Sequence, residues 1–137
     1  TPRKMEGHNV RRRKEKKDIE ILGRQLLGRK NYDQALQFFE QLVNSRRELY
    51  ESDSSYRMLY TEALLYYAEC LRNTGQFPKA VSFLNLAFSV MNLSESTPSV
   101  DDEESFSTAV TLLAGIMRKE KRLVVSANTA NDLELIL

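Results

Sequence analysis

The chain is poor in the residues that carry most covalent and metal chemistry. Its 137 residues include one cysteine, Cys70, one histidine, His8, and no tryptophan. A lone cysteine forbids an internal disulfide and fits a reducing, intracellular setting, cytoplasmic or nuclear. Cys70 lies between Glu69 and Leu71 in a helical apolar pattern, the setting of a buried, inert thiol. His8 falls in a polar N-terminal stretch, so the body of the chain offers no Ser–His or Cys–His pair for nucleophilic catalysis. Neither a G-x-G-x-x-G run nor a P-loop occurs. The carboxylate pairs Asp101–Asp102 and Glu103–Glu104 sit in or beside an acidic loop that cannot hold them in register. The reading is non-enzymatic, with no catalytic residue, cofactor or metal.

Long apolar runs are missing as well. None approaches the roughly 20 residues a membrane-crossing helix needs, and the basic stretch after Thr1 lacks the apolar core of a secretory signal. Alternating apolar patterns are too short to argue for strands. What remains is helical punctuation and charge.

Charge is unevenly placed. Residues 1–17 carry eight basic and two acidic side chains, a local charge of +6, whereas residues 18–137 carry twelve basic and seventeen acidic, or −5. Residues 1–14 read as a flexible basic arm and residues 15–137 as one helical domain. Arg11, Arg12, Arg13, Lys14, Lys16 and Lys17 form a candidate nuclear-import or phosphate-binding stretch. No aromatic side chain interleaves them, so base stacking has no support. Cations are unfavourable at a helix N-terminus, which moves the expected helix start toward Asp18.

Helical stripes follow. Ile19, Leu22, Gly23, Leu26 and Leu27 share one face, ending near Gly28–Asn31. Tyr32, Ala35, Leu36, Phe39, Leu42 and Val43 begin a longer helix. Tyr60, Leu64, Tyr67, Ala68 and Leu71 mark a third, stopped at Gly75, a residue that accepts left-handed backbone. A fourth runs from Phe77 to Met91 with Pro78 in its first turn. Residues 92–104 are acidic, rich in Ser and Thr, and contain Pro98, hence a loop. Thr97-Pro98 and Ser99-Val-Asp-Asp read as kinase targets there, while Ser99 or Ser105 is the expected cap of a fifth helix. That helix carries Phe106, Ala109, Val110, Leu113, Ala114 and Met117. Arg118–Arg122 interrupt its apolar stripe, and Leu123, Val124, Ala127, Ala130, Leu133 and Leu137 mark a weaker sixth helix.

The chain repeats itself at a shift of 45 residues. Gly23 falls on Ala68, Leu26 on Leu71, Tyr32 on Phe77, Ala35 on Ala80 and Phe39 on Leu84. A further shift of 46 puts Ala68 on Ala114 and Phe77 on Leu123, a poorer match. Small residues on facing helices let an antiparallel pair approach closely. Each hairpin leaves an apolar face that stacking must cover. The expected architecture is all-α: stacked antiparallel hairpins, about six helices (six, or five and a frayed tail), with repeats near 16–58, 59–104 and 105–137.

Ala68, Gly75, Phe77, Ala80, Leu84 and Ala87, with Leu22, Gly23, Tyr32, Ala35 and Phe39 before them, resemble the tetratricopeptide repeat (TPR). The period exceeds the usual 34 residues, so a long-repeat variant is implied, with extra turns around Ser45–Met58. A microtubule-interacting-and-trafficking (MIT) type of helical bundle, twice in tandem, is the second resemblance. The TPR likeness implies a protein-interaction module, a scaffold or adaptor, whose first helices line a groove for a peptide or helix of another protein. Carried over, the groove residues are Lys17, Glu20, Arg24 and Leu27, then Glu62, Leu65, Glu69, Arg72 and Asn73, with Thr108, Thr111, Arg118 and Lys119 in the third copy. Arg24, Arg72 and Arg118 are best suited to grip a carboxylate. Glu20, Arg24 and Tyr66 depart from the pattern of the chaperone-binding branch. Tyr56 and Tyr66 lie off the core stripe and are candidate anchors for a partner. The alternative from another class is nucleic-acid contact through the basic arm. Oligomeric state is not legible.

The alignment makes Ala80 a close-approach position. Ala80→Leu is expected to overpack the hairpin and cost about 1–3 kcal/mol. An unchanged thermal melt would contradict the alignment.

Overall fold

A computed structural model describes the backbone of residues 18–136 and the side chains of 18–122. Its regular structure is all helical, with no strand among the described residues. Five α-helices follow in order: α1 (residues 18–28), α2 (Tyr32–Ser52), α3 (Arg57–Asn73), α4 (Phe77–Val90) and α5 (Glu103–Ile136). Short 3-10 turns at Ser54–Tyr56 and Ser94–Ser96 precede α3 and follow α4. The chain divides after Glu95 into two compact units.

In the first unit, contacts establish the antiparallel order. Gly23 meets Phe39 and Glu20 meets Arg46, so α1 runs against α2. Phe39 stacks on Tyr66 and Tyr50 packs tilted against Tyr60, so α2 runs against α3. The turn over residues 74–76 returns α4 along α3, where Tyr67 meets Phe83 edge-on at 4.8 Å. The core is the stripe set read from the sequence: Ala35, Phe39, Leu42, Tyr60, Leu64, Tyr67, Ala68, Leu71, Ala80, Leu84, Ala87 and Phe88 are all buried. Leu22 departs from that reading: it is 45% exposed beside Ile21, because only the Gly23 side of α1 meets Phe39.

The 45-residue shift recurs in the backbone itself. At the first turn, Lys30 N–H donates to Leu27 C=O at 3.0 Å and Asn31 N–H to Leu26 C=O at 2.9 Å. At the second, Gly75 N–H donates to Arg72 C=O at 3.2 Å and Gln76 N–H to Leu71 C=O at 2.8 Å. Both pairs form a Schellman stop, which needs one left-handed residue. Gly75 supplies it at φ +80° and Lys30 at φ +59°. The end of α4 repeats the device with Asn92 at φ +61°, its N–H to Ser89 C=O and that of Leu93 to Phe88 C=O.

The second unit bears on two expectations. No separate sixth helix occurs in residues 103–136: α5 is one helix of 34 residues, and the five helices among the described residues are close to the six, or five and a tail, expected. Arg118, Lys119, Glu120, Lys121 and Arg122 are good helix formers, and the residue aligned with Gly75 is Lys121, with no glycine or asparagine at the expected stop. Phe106, Ala109, Leu113 and Met117 are buried, while Ser107, Thr108, Thr111 and Leu112 are exposed. Nor is Ser99 or Ser105 the cap. Asp102 takes that place, its Oδ1 accepting from Ser105 N–H at 2.8 Å. Ser105 Oγ accepts in return from Asp102 N–H at 3.1 Å, a reciprocal capping box. The Ser105 backbone hydrogen bond holds the Asp102 carboxyl below its ordinary pKa.

Lys30 bears a left-handed strain that Gly75 avoids. Lys30→Gly is expected to stabilise the fold by about 0.5–1 kcal/mol after the extra freedom of glycine in the unfolded chain is counted. Denaturant titration checks this; a loss of stability would contradict it.

Candidate functional site

The face built by α1 and α3 starts from a close approach. A Cβ on Gly23 would stand 3.0 Å from two ring carbons of Phe39. The glycine therefore lets the ring lie against the α1 backbone. Phe39 stacks in turn on Tyr66, with centroids 5.1 Å apart and planes 16° from parallel. The Arg24 guanidinium lies over the Tyr66 ring, 5.8 Å from its centroid. Tyr66 Oη donates to Glu62 Oε1 at 3.5 Å, a long bond. Burial, then the Glu62 charge, raises the Tyr66 pKa above the ordinary tyrosine value. A column of Phe39, Tyr66 and Arg24 thus runs from the core to an exposed cation.

Glu20 has a different fate from the one expected of a groove residue. Its Oε2 accepts from Arg46 Nη2 at 2.7 Å. Arg46 Nη1 also donates to the Leu59 carbonyl at 2.8 Å. One guanidinium therefore clasps α1 and the start of α3 from α2, with the Arg46 side chain 9% exposed and that of Glu20 20% exposed. Sequence reasoning missed Arg46. The signal was its position: Ala35, Phe39, Leu42 and Arg46 descend one stripe of α2 at spacings of 4, 3 and 4.

The remaining expected groove residues divide. Arg24 and Glu62 are brought together through Tyr66. Leu27, Leu65, Glu69 and Arg72 are half-buried and Asn73 is exposed. Asn73 Nδ2 donates to Glu69 C=O at 2.8 Å, which supports the end of α3. Arg118, with Thr108, Thr111 and Lys119, is exposed on α5 in the other unit. Lys17 and the arm residues Arg11, Arg12, Arg13, Lys14 and Lys16 lie outside the described residues. Of the tyrosines, Tyr60 and Tyr67 are core, as their stripe implied, and Tyr56 and Tyr66 are half-buried. Cys70 is fully buried and burial pushes its thiol up to about 12, far from a reactive thiolate. Among the described residues no cluster of His, Cys, Asp and Glu could hold a metal, and no helix is long and apolar enough to cross a membrane.

The tetratricopeptide-repeat family model matches residues 62–87, from the first turns of α3 across Gly75 and into α4. The chain carries a TPR-like helical repeat. That stretch contains Glu62, Leu65, Glu69, Arg72 and Asn73, the second set of residues expected to line a groove. TPR repeats are generally protein–protein interaction modules and typically non-catalytic. No curated protein and no solved structure matches the chain.

The Arg46 clasp has a measurable worth. Arg46→Ala strands a partly buried carboxylate and a carbonyl, so it is expected to cost about 2–4 kcal/mol. Glu20→Gln is expected to cost less, because the amide oxygen still accepts. Denaturant midpoints of the two variants and their combination check the coupling, and independent, additive losses would contradict it.

Proposed function

We propose that this chain is an adaptor of the long-repeat kind, docking a peptide or helical segment of another protein on the face shared by α1 and α3. The observation that carries the reading is the Phe39–Tyr66–Arg24 column. A side chain as rotamer-rich as arginine loses entropy on binding. Contact with the Tyr66 face restricts Arg24 beforehand while it remains exposed. Its planar fork suits a carboxylate or main-chain carbonyl on the partner. Glu62, Glu69 and Arg72 make the surroundings mixed in sign, which favours a polar protein segment of mixed charge. The long-repeat assignment is supported by α2, whose 21 residues provide the length beyond an ordinary repeat. The backbone hydrogen bonds recurring at a 45-residue interval support it too.

Affinity capture with the whole chain tests the proposal. Arg24→Glu is expected to lower recovery of the specific partner by about tenfold, as loss of a charge-assisted anchor implies. Lys79→Glu, at an exposed cation beside Tyr67 on α4, should leave recovery unchanged. Circular dichroism should give both variants the helicity of the parent. Equal recovery with Arg24→Glu and the parent would remove the α1–α3 face from the mechanism.

A further inference from the structure

The stretch between the 3-10 turn at Ser94–Ser96 and α5 takes no part in the docking face. Residues 97–101 form neither helix nor strand, and Ser99 is exposed. Asp101, Asp102, Glu103 and Glu104 are the second to fifth residues after it, all exposed. Kinases that select acidic substrates read negative charge on the C-terminal side of the acceptor, and a substrate must enter the cleft extended.

The hydroxyls differ in availability. Thr61, Ser82 and Thr108 donate to carbonyls four residues back in their helices, at 2.8, 3.2 and 3.0 Å. Extending those segments would unwind a helix. Ser105 is held by the cap, accepting from the N–H groups of both Asp101 and Asp102 at 3.1 Å. Ser99 Oγ instead makes long contacts to the Asp101 carboxylate, 3.3 and 3.4 Å, at the edge of an open hollow lined also by Pro98, Asp102, Glu104 and Thr108.

We propose that Ser99 is a phosphoacceptor for an acid-directed serine kinase using ATP. Ser99 Oγ attacks the γ-phosphorus, the bond from that phosphorus to the β,γ-bridging oxygen breaks, and ADP leaves. The Oγ proton passes to the kinase's catalytic carboxylate. The product exchanges a hydroxyl that donates to Asp101 for a dianion that repels it. The α5 cap survives, because it uses Asp102 and Ser105 and not Ser99.

The test is incubation of the whole chain with a purified acid-directed serine kinase and ATP, followed by mapping of phosphate by mass spectrometry. Phosphate is expected on Ser99, and Ser99→Ala should remove it without changing helicity. Asp102→Asn keeps a good capping residue but deletes the charge at the third following position, and should slow incorporation about tenfold. The Asp101→Asn, Glu103→Gln pair leaves the cap side chains intact and should also slow it. Phosphate confined to Thr97 or any other residue, no incorporation, or rates indifferent to both sets of charge removal would overturn the assignment.

Discussion

The α1–α3 face depends on one steric allowance, the absence of a Cβ at Gly23. With a methyl there, two ring carbons of Phe39 would be met at 3.0 Å, so the ring or the helix would have to give. Phe39 is fully buried and stacked on Tyr66, so its displacement would pass to Tyr66 and then to Arg24. Core packing and the placement of a surface charge share one path. The core determines where an exposed cation sits, through two aromatic rings whose areas are large and whose rotamers are few. A close approach of backbone to ring leaves little slack for an intervening adjustment.

A second constraint acts one turn earlier on α1, at Glu20. Burying a guanidinium is unfavourable unless its donors are satisfied. Arg46 meets that requirement with one carboxylate and one backbone carbonyl drawn from two different helices. Its geometry therefore selects how α1 and α3 lie against α2, which a purely apolar contact leaves freer to slide. The same pair engages Glu20, one of the residues expected to line the groove. Among the other residues expected there, Glu62 and Glu69 carry negative charge and Arg24 and Arg72 positive.

The helical hairpins were legible because their demands are local and typed. Close approach requires small residues, and Gly23, Ala35, Ala68 and Ala80 are all buried where the 45-residue alignment puts them. The Gly75 stop was equally plain, since its backbone needs a positive φ. Lys30 shows the limit of that logic: a lysine adopts the same conformation when the hairpin imposes it. The reverse error occurred in α5, where a run of charged residues looked like an interruption. Such residues propagate a helix when no stop follows, and α5 continues through them. Arg46 was hidden for a related reason. A charged residue on an apolar stripe reads as the stripe's end, and only a partner 26 residues away makes it core. On the α1–α3 face, the sequence pattern brought Arg24 and Glu62 into consideration. The Phe39–Tyr66 stack that joins them depends on the facing of α2 and α3, which no single stripe encodes.

The start of α5 separates folding from surface chemistry within a few residues. An acidic segment before a helix can serve its N-terminus, because the unsatisfied N–H groups and the helix dipole both favour negative charge. Here that work falls to Asp102, whose carboxylate and backbone N–H are both engaged with Ser105. Ser99 is thereby relieved of a capping role, and its hydroxyl interacts only loosely with Asp101. Had Ser99 been the cap, a phosphate on it would have changed the helix start itself. With the box built from Asp102 and Ser105, charge can be added three residues upstream while the hydrogen bonds that start α5 stay in place.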